Sequence, residues 1–222
     1  MIPLRFNLTF FHYTYILYTS NKLFLKSRKN MNTLNSVAVF CGGSSGRKAV
    51  YMQEAHRLGE ILAQKEIKLI YGAGTTGLMG AVSDGAFSEN GYVIGATIRE
   101  LYDIEKPDAI AERANKFEVW DKMALRKVSM VDQADAIAIL PGGFGTMDEL
   151  FEVLTLRQLG IIKSPIIVVN IDGFYNTLQQ FLFEMVGEGF VKPHQIKLLT
   201  FVKSVDEVLP EIEHQLEQEN KK

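Results

Sequence analysis

An apolar run of strand length, ADAIAIL at 134–140, leads directly into the glycine-rich PGGFGTMDE at 141–149. The segment that follows, LFEVLTLRQLG, has the i, i+3, i+4 apolar spacing of an amphipathic helix. A chain that leaves a buried strand and enters a helix through such a turn is building one βα unit of a parallel sheet. Gly142, Gly143 and Gly145 carry no Cβ, so the main chain can turn tightly there and a ligand can approach it closely. Free N–H groups at the start of the helix, with the helix dipole behind them, attract an anion such as phosphate. Thr146 and Glu149 form T-x-x-E, which allows two readings. One is a capping box that closes the helix N-terminus. The other is a carboxylate one turn into the helix that faces the sugar of a bound nucleotide.

The rest of the chain repeats this pattern. VAVFC (37–41) reads as a strand followed by the loop GGSSG (42–46), then a helix to about residue 64. IKLIY (67–71) is a second strand, and the loop GAGTTG (72–77) opens the helix LMGAVSDGAF. A polar stretch runs from Thr97 to about Lys116, followed by strand FEVW and a helix over 121–133. Beyond the central motif come strand PIIVVN, a helix from about Gly173 to Gly187, the short segment LLTFV and a last helix from Val205. Alternating strands and helices predict an α/β fold, a doubly wound, Rossmann-like parallel sheet with helices on both faces. In such a sheet the three glycine loops after Cys41, Tyr71 and Leu140 line one crevice at the carboxyl edge of the strands.

At 222 residues, 47% hydrophobic and net charge −2, the chain fits one domain with a sizeable core and shows no nucleic-acid footprint. The charge is unevenly spread, because residues 1–30 hold five basic residues and no acid, leaving −7 on the remainder. Within that segment FNLTFFHYTYILY (6–18) is apolar but shorter than the roughly 20 residues a membrane-spanning helix needs. No charged n-region or A-x-A-like site marks it as a signal peptide. Residues 1–31 therefore read as an N-terminal extension, disordered or foreign to the fold, with a targeting or membrane-surface leader as the alternative. Residues 32–218 form the domain and 219–222 a polar tail. The single cysteine, Cys41, excludes an internal disulfide framework and reads as a small buried residue in a reducing compartment, so a cytoplasmic protein with no membrane association is expected.

Other motifs say less. Only the second glycine loop matches G-x-G-x-x-G, and no acidic residue ends a strand about 20 residues on, where the chain reads YVIGAT, so a nicotinamide dinucleotide is not expected. No G-K-[ST] P-loop and no His/Cys set with zinc spacing occurs, so no metal site is expected. On residue types alone Arg126 and Lys127 are a basic step on a solvated helix face.

Taken together the motifs resemble the Lonely Guy family of cytokinin riboside 5′-monophosphate phosphoribohydrolases, often labelled lysine decarboxylase-like. The family's P-G-G-x-G-T-x-x-E is matched at every fixed position by residues 141–149, and its M-x-x-R-K by Met123, Arg126 and Lys127. FCGGSSG resembles F-C-G-S-S-x-G, and YGAGTTGLMGAV resembles Y-G-G-G-x-x-G-L-M-G-A-V. The resemblance covers roughly 37–202, including QLG at 158–160 and NIDGFYN. Gly43, Ala73 and Ala124 depart from the family's serine, glycine and frequent histidine.

The resemblance implies hydrolysis of the N-glycosidic bond of AMP or an N6-modified AMP, without a cofactor. Glu149 and Arg126 would be catalytic. Gly142, Gly143, Phe144, Gly145, Thr146, Met147 and Asp148 would bind substrate, with Gly42, Ser44, Gly74 and Gly77 from the earlier loops and Glu105, Lys127 and Thr155 beside them. A homodimer is expected, because Leu150, Phe151, Val153, Leu154 and Leu156 cover more of the 146–160 helix than one sheet contact buries. The helices over 123–133 and 146–160 would supply much of its contact. Two other classes stay open. One is a non-enzymatic nucleotide or molybdenum-cofactor carrier of similar fold. The other is a pyridoxal-phosphate decarboxylase, for which Lys127 is the nearby candidate lysine.

Overall fold

The computed structural model describes residues 34–105 and 107–220. The readings of residues 1–31 and of the last two residues of the polar tail lie outside them. Seven strands among the described residues, β1 (Ser36–Phe40), β2 (Lys68–Tyr71), β3 (Val93–Ile98), β4 (Lys116–Trp120), β5 (Ala136–Ile139), β6 (Ile166–Val169) and β7 (Thr200–Val202), form one sheet. Its order is β4-β3-β2-β1-β5-β6-β7 and every pairing is parallel. Strands β1, β5 and β6 are buried at every position. This burial explains why they read as continuous apolar runs: a parallel strand covered by helices on both faces has no wet side on which to alternate.

The helices α1 (Ala49–Gln64), α2 (Gly77–Ser88), α3 (Arg99–Glu105), α4 (Asp108–Arg113), α5 (Met123–Gln133), α6 (Phe144–Gln158) and α7 (Asn176–Gly187) connect these strands, and α8 (Val208–Asn220) follows β7. Strand order reverses at β1, with β2, β3 and β4 on one side and β5, β6 and β7 on the other. The carboxyl ends of β1 and β5 therefore diverge into a crevice, the usual ligand position in a doubly wound sheet. No helix among the described residues is long and apolar enough to cross a membrane.

Several boundaries differ from expectation. The polar stretch after Thr97 contains helices α3 and α4, which short-range contacts hold. The Tyr102 hydroxyl donates to Asp108 at 2.9 Å, and its ring meets Phe117 edge-on. Helix α5 begins at Met123 rather than 121. Helix α7 begins at Asn176 rather than Gly173, because Asp172 takes φ 50° in the preceding 3-10 turn Ile171–Gly173. A similar 3-10 turn, Val205–Glu207, delays α8. On α6, Leu150, Val153 and Leu156 are buried within the protomer, while Phe151 and Leu154 are only half-buried. The apolar surplus expected of that helix is correspondingly smaller.

Candidate active site

The three glycine loops do converge. A cavity of about 450 Å³ is lined by Cys41, Gly42, Gly43, Ser44 and Gly46 after β1, by Gly72 after β2, and by Pro141, Gly142, Gly143 and Gly145 after β5. Helices contribute Leu101 and Glu105 of α3, Met123 and Arg126 of α5, and Thr146 and Glu149 of α6. Two hollows elsewhere are somewhat larger, about 580 and 550 Å³, but neither brings the three loops together. The loops also brace one another. Gly42 N–H donates to the Pro141 carbonyl at 3.0 Å, Met79 N–H to the Gly42 carbonyl at 3.2 Å, and the Thr76 hydroxyl to the Gly43 carbonyl at 3.0 Å. The end of β5 is fixed separately, since the buried Tyr175 hydroxyl donates to the Leu140 carbonyl at 2.7 Å.

Helix α6 starts at Phe144 with Gly143 as its N-cap and no side-chain cap. Thr146 is therefore the third helical residue, buried and inside the first turn, so the capping-box reading of Thr146 and Glu149 does not hold. Gly142 has to lack a side chain, because a Cβ there would stand 2.1 Å from the Thr146 hydroxyl oxygen. At Gly143 and Gly145 the space is open, with nothing among the described residues within 4 Å of an added Cβ and no positive φ. Nothing among the described residues requires glycine at these two positions. Uncapped N–H groups in the first turn of α6 and free space in front of them make an anion seat.

Beside this seat sits a buried ion pair. Arg126 Nη1 lies 3.6 Å from Glu149 Oε1, with the side chains 8% and 11% exposed. The solvated-face reading of Arg126 is therefore overturned. Its guanidinium is seated by backbone, donating from Nε to the Ala96 carbonyl of β3 at 2.9 Å, and it also touches Met123 Sδ at 3.2 Å. Gly72 makes room for it, since a Cβ there would be 2.3 Å from Arg126 Nη2. Burial pushes the Glu149 carboxyl up to about 7, with Arg126 and Lys127 pulling it back down. Burial also lowers the Arg126 guanidinium from its usual value, against the attraction of Glu149 and Glu105. The Cys41 thiol is pushed well up by burial and by Glu149, so it is neither a thiolate nor a nucleophile in this state.

Of the residues singled out in the sequence, Gly42, Ser44, Glu105, Arg126, Gly142, Gly143, Gly145, Thr146 and Glu149 line this cavity. Phe144, Met147, Asp148, Gly74, Gly77, Lys127 and Thr155 do not. Phe144 is 97% exposed, and the Thr155 hydroxyl donates to the Phe151 carbonyl one turn back. Lys127 is engaged by Asp148 and Glu152. Gly77 lines the hollow between α1 and α2. Ala73, standing where the resembled family has glycine, keeps a left-handed conformation at φ 59°. The side chains that sequence reasoning missed are Tyr51, Leu78, Met79, Leu101 and Phe174. Phe174 lies within the NIDGFYN stretch and meets Tyr51 edge-on at 5.8 Å, whereas the apolar lining from Leu101 comes from the stretch that follows no motif.

A family described as possible lysine decarboxylase matches residues 79–212. A cytokinin riboside 5′-monophosphate phosphoribohydrolase of Arabidopsis thaliana, LOG7, is 38% identical over 80% of this chain and 80% of its own length. A probable enzyme of the same name from Oryza sativa subsp. japonica, LOGL3, is 38% identical over 79% of this chain and 82% of its own. Among solved structures, the Moco carrier protein of Chlamydomonas reinhardtii superposes with TM-score 0.63 at 18% identity, covering 84% of this chain and 99% of that one. The molybdenum cofactor binding protein of Rippkaea orientalis superposes with TM-score 0.60 at 19% identity, covering 82% and 97%. At such identities the superpositions establish the fold alone.

Proposed function

The chain belongs to the Lonely Guy family of cytokinin riboside 5′-monophosphate phosphoribohydrolases, and from that membership we infer that it hydrolyses the N-glycosidic bond of adenosine 5′-monophosphates, AMP or an N6-modified AMP, to free base and ribose 5-phosphate. The observation that carries the chemistry is the buried Arg126–Glu149 pair at 3.6 Å beside an uncapped helix start. The 5′-phosphate sits on the open first turn of α6 at Gly143, Gly145 and Thr146, with Gly42 and Ser44 opposite. That places the sugar toward Glu149. Cleavage passes through an oxocarbenium-like sugar, and a carboxylate held close to it is worth about 3–4 kcal/mol in the transition state. A water completes the reaction. Arg126 stays protonated and therefore orients Glu149 rather than acting as an acid. The base lies toward Leu101, Glu105 and Met123.

Residues 32–218 are the catalytic domain in this reading. The protein works as a homodimer in a reducing, cytoplasmic setting, supported by the apolar residues left exposed around α6 (Phe144, Leu159 and Ile161) and by the free, buried Cys41. A pyridoxal-phosphate decarboxylase fits less well, because among the described residues no lysine lines the cavity and Lys127 is held by two carboxylates. The decisive experiment is release of free base from AMP, N6-isopentenyl-AMP, GMP and the unphosphorylated adenosine. Release from an adenine monophosphate with none from adenosine supports the reading. Tight nucleotide binding with no release would instead indicate a carrier.

A further inference from the structure

Arg126 and Lys127 are consecutive on α5 and so point about 100° apart, one into the cavity and one onto the flank of α6. On that flank Asp148 and Glu152, four residues apart on either side of Glu149, converge on the Lys127 ammonium at 2.8 and 2.6 Å. The lysine is only 13% exposed, although Asp148 is 60% exposed. Two rungs therefore join α5 to α6 side by side. The inner one, Arg126 to Glu149, is long at 3.6 Å, while the outer one is short and has two legs.

We propose that Lys127 is a positioning residue, clamping α5 against α6 through Asp148 and Glu152 and thereby setting both the spacing and the charge of the Arg126–Glu149 pair. Its side chain lies outside the lining of the cavity. The inference rests on the reading of Glu149 given above. The groups that face Glu149 are Arg126 and Lys127 from α5, Asp148 and Glu152 from its own helix, and the Cys41 thiol at the end of β1. Glu105 of α3 faces Arg126. Without the ammonium only Arg126 is left to oppose Asp148 and Glu152, and the protonated form of Glu149 is favoured. Burial works against charge on Lys127, but Asp148 and Glu152 outweigh it and hold the ammonium charged.

The test compares Lys127→Met with Lys127→Arg in the full chain. Titration of the Glu149 carboxyl is followed by carbon-13 NMR without nucleotide, assigned through Glu149→Gln, and base release from AMP is measured against pH. Lys127→Met should move the Glu149 midpoint up by about one pH unit, which lowers kcat about tenfold at pH 6 and little at pH 9. KM for AMP should stay within about twofold, and Lys127→Arg should restore both readouts. Should Lys127→Met not fold, Asp148→Asn gives the opposite sign, a midpoint that falls. An unmoved midpoint in these variants, a loss of kcat uniform in pH, or a raised KM with kcat intact would overturn the proposal. If the unaltered protein releases no base from any nucleotide, the functional reading fails while the titration still decides the role of Lys127.

Discussion

At the scale of single residues, Glu149 has two demands on it that conflict. Its carboxyl must be ionised to stabilise a cationic sugar, yet burial holds it up to about 7. Base release should therefore rise with pH through about 7. Glu149→Gln should bind AMP normally but lose turnover by about 10²-fold or more, since the group acts on the transition state. Equilibrium binding and single-turnover rates check both parts. The same shift appears in stability with a definite sign. A folded-state value above the unfolded one means that the native protein binds more protons between about 4.5 and 7, so Glu149 makes the fold less stable as pH rises through that window. Thermal midpoints of Glu149→Gln and the unaltered protein should accordingly agree near pH 4, diverge between about pH 4.5 and 7 with the variant higher, and keep that gap above pH 7.

At the scale of elements, the site is made where strand ends and helix starts meet, and this decides what could be read from sequence. The PGGFGTMDE turn was legible because its glycines, its preceding apolar strand and its following amphipathic helix all agree. Thr146 and Glu149 were ambiguous, because T-x-x-E serves a cap as well as a site, and only the helix start at Phe144 separates the two. Arg126 was illegible as a buried residue. Its seat is the Ala96 carbonyl of β3 and the missing side chain at Gly72, neither of which has a local sequence signature. Helices α3 and α4 escaped notice because they bury little apart from Ile110, so no apolar stripe marks them. The element-scale prediction concerns the loop after β2. Gly72→Ala should fold, since Arg126 Nη2 and Met79 Sδ, which crowd the new methyl, are ends of flexible side chains. Displacing the guanidinium should cost kcat by tenfold or more, with the circular dichroism spectrum unchanged. A fully active Gly72→Ala would show that the Arg126 position is not critical.

At the scale of the whole molecule, the doubly wound sheet was legible from alternation alone, and its switch point at β1 follows from β5 pairing beside it. Deleting residues 1–30 should leave a folded, active protein, because the domain from Leu34 onward has its own core and supplies the three glycine loops and the Arg126–Glu149 pair. Base release and a cooperative melt of the truncated chain check this. Light scattering at micromolar concentration should give a mass near twice the 25.0 kDa of one chain. A monomer there would leave the exposed Phe144, Leu159 and Ile161 without a partner copy to cover them. The open ground in front of Gly143 and Gly145 has one more use. A methyl at either position occupies space that no atom of the described residues needs, so it leaves the apo fold as it is and takes room only from whatever binds. Alanine, serine and valine placed there in turn become a steric gauge, graded in volume, and the size at which affinity collapses measures the gap between the main chain and its guest.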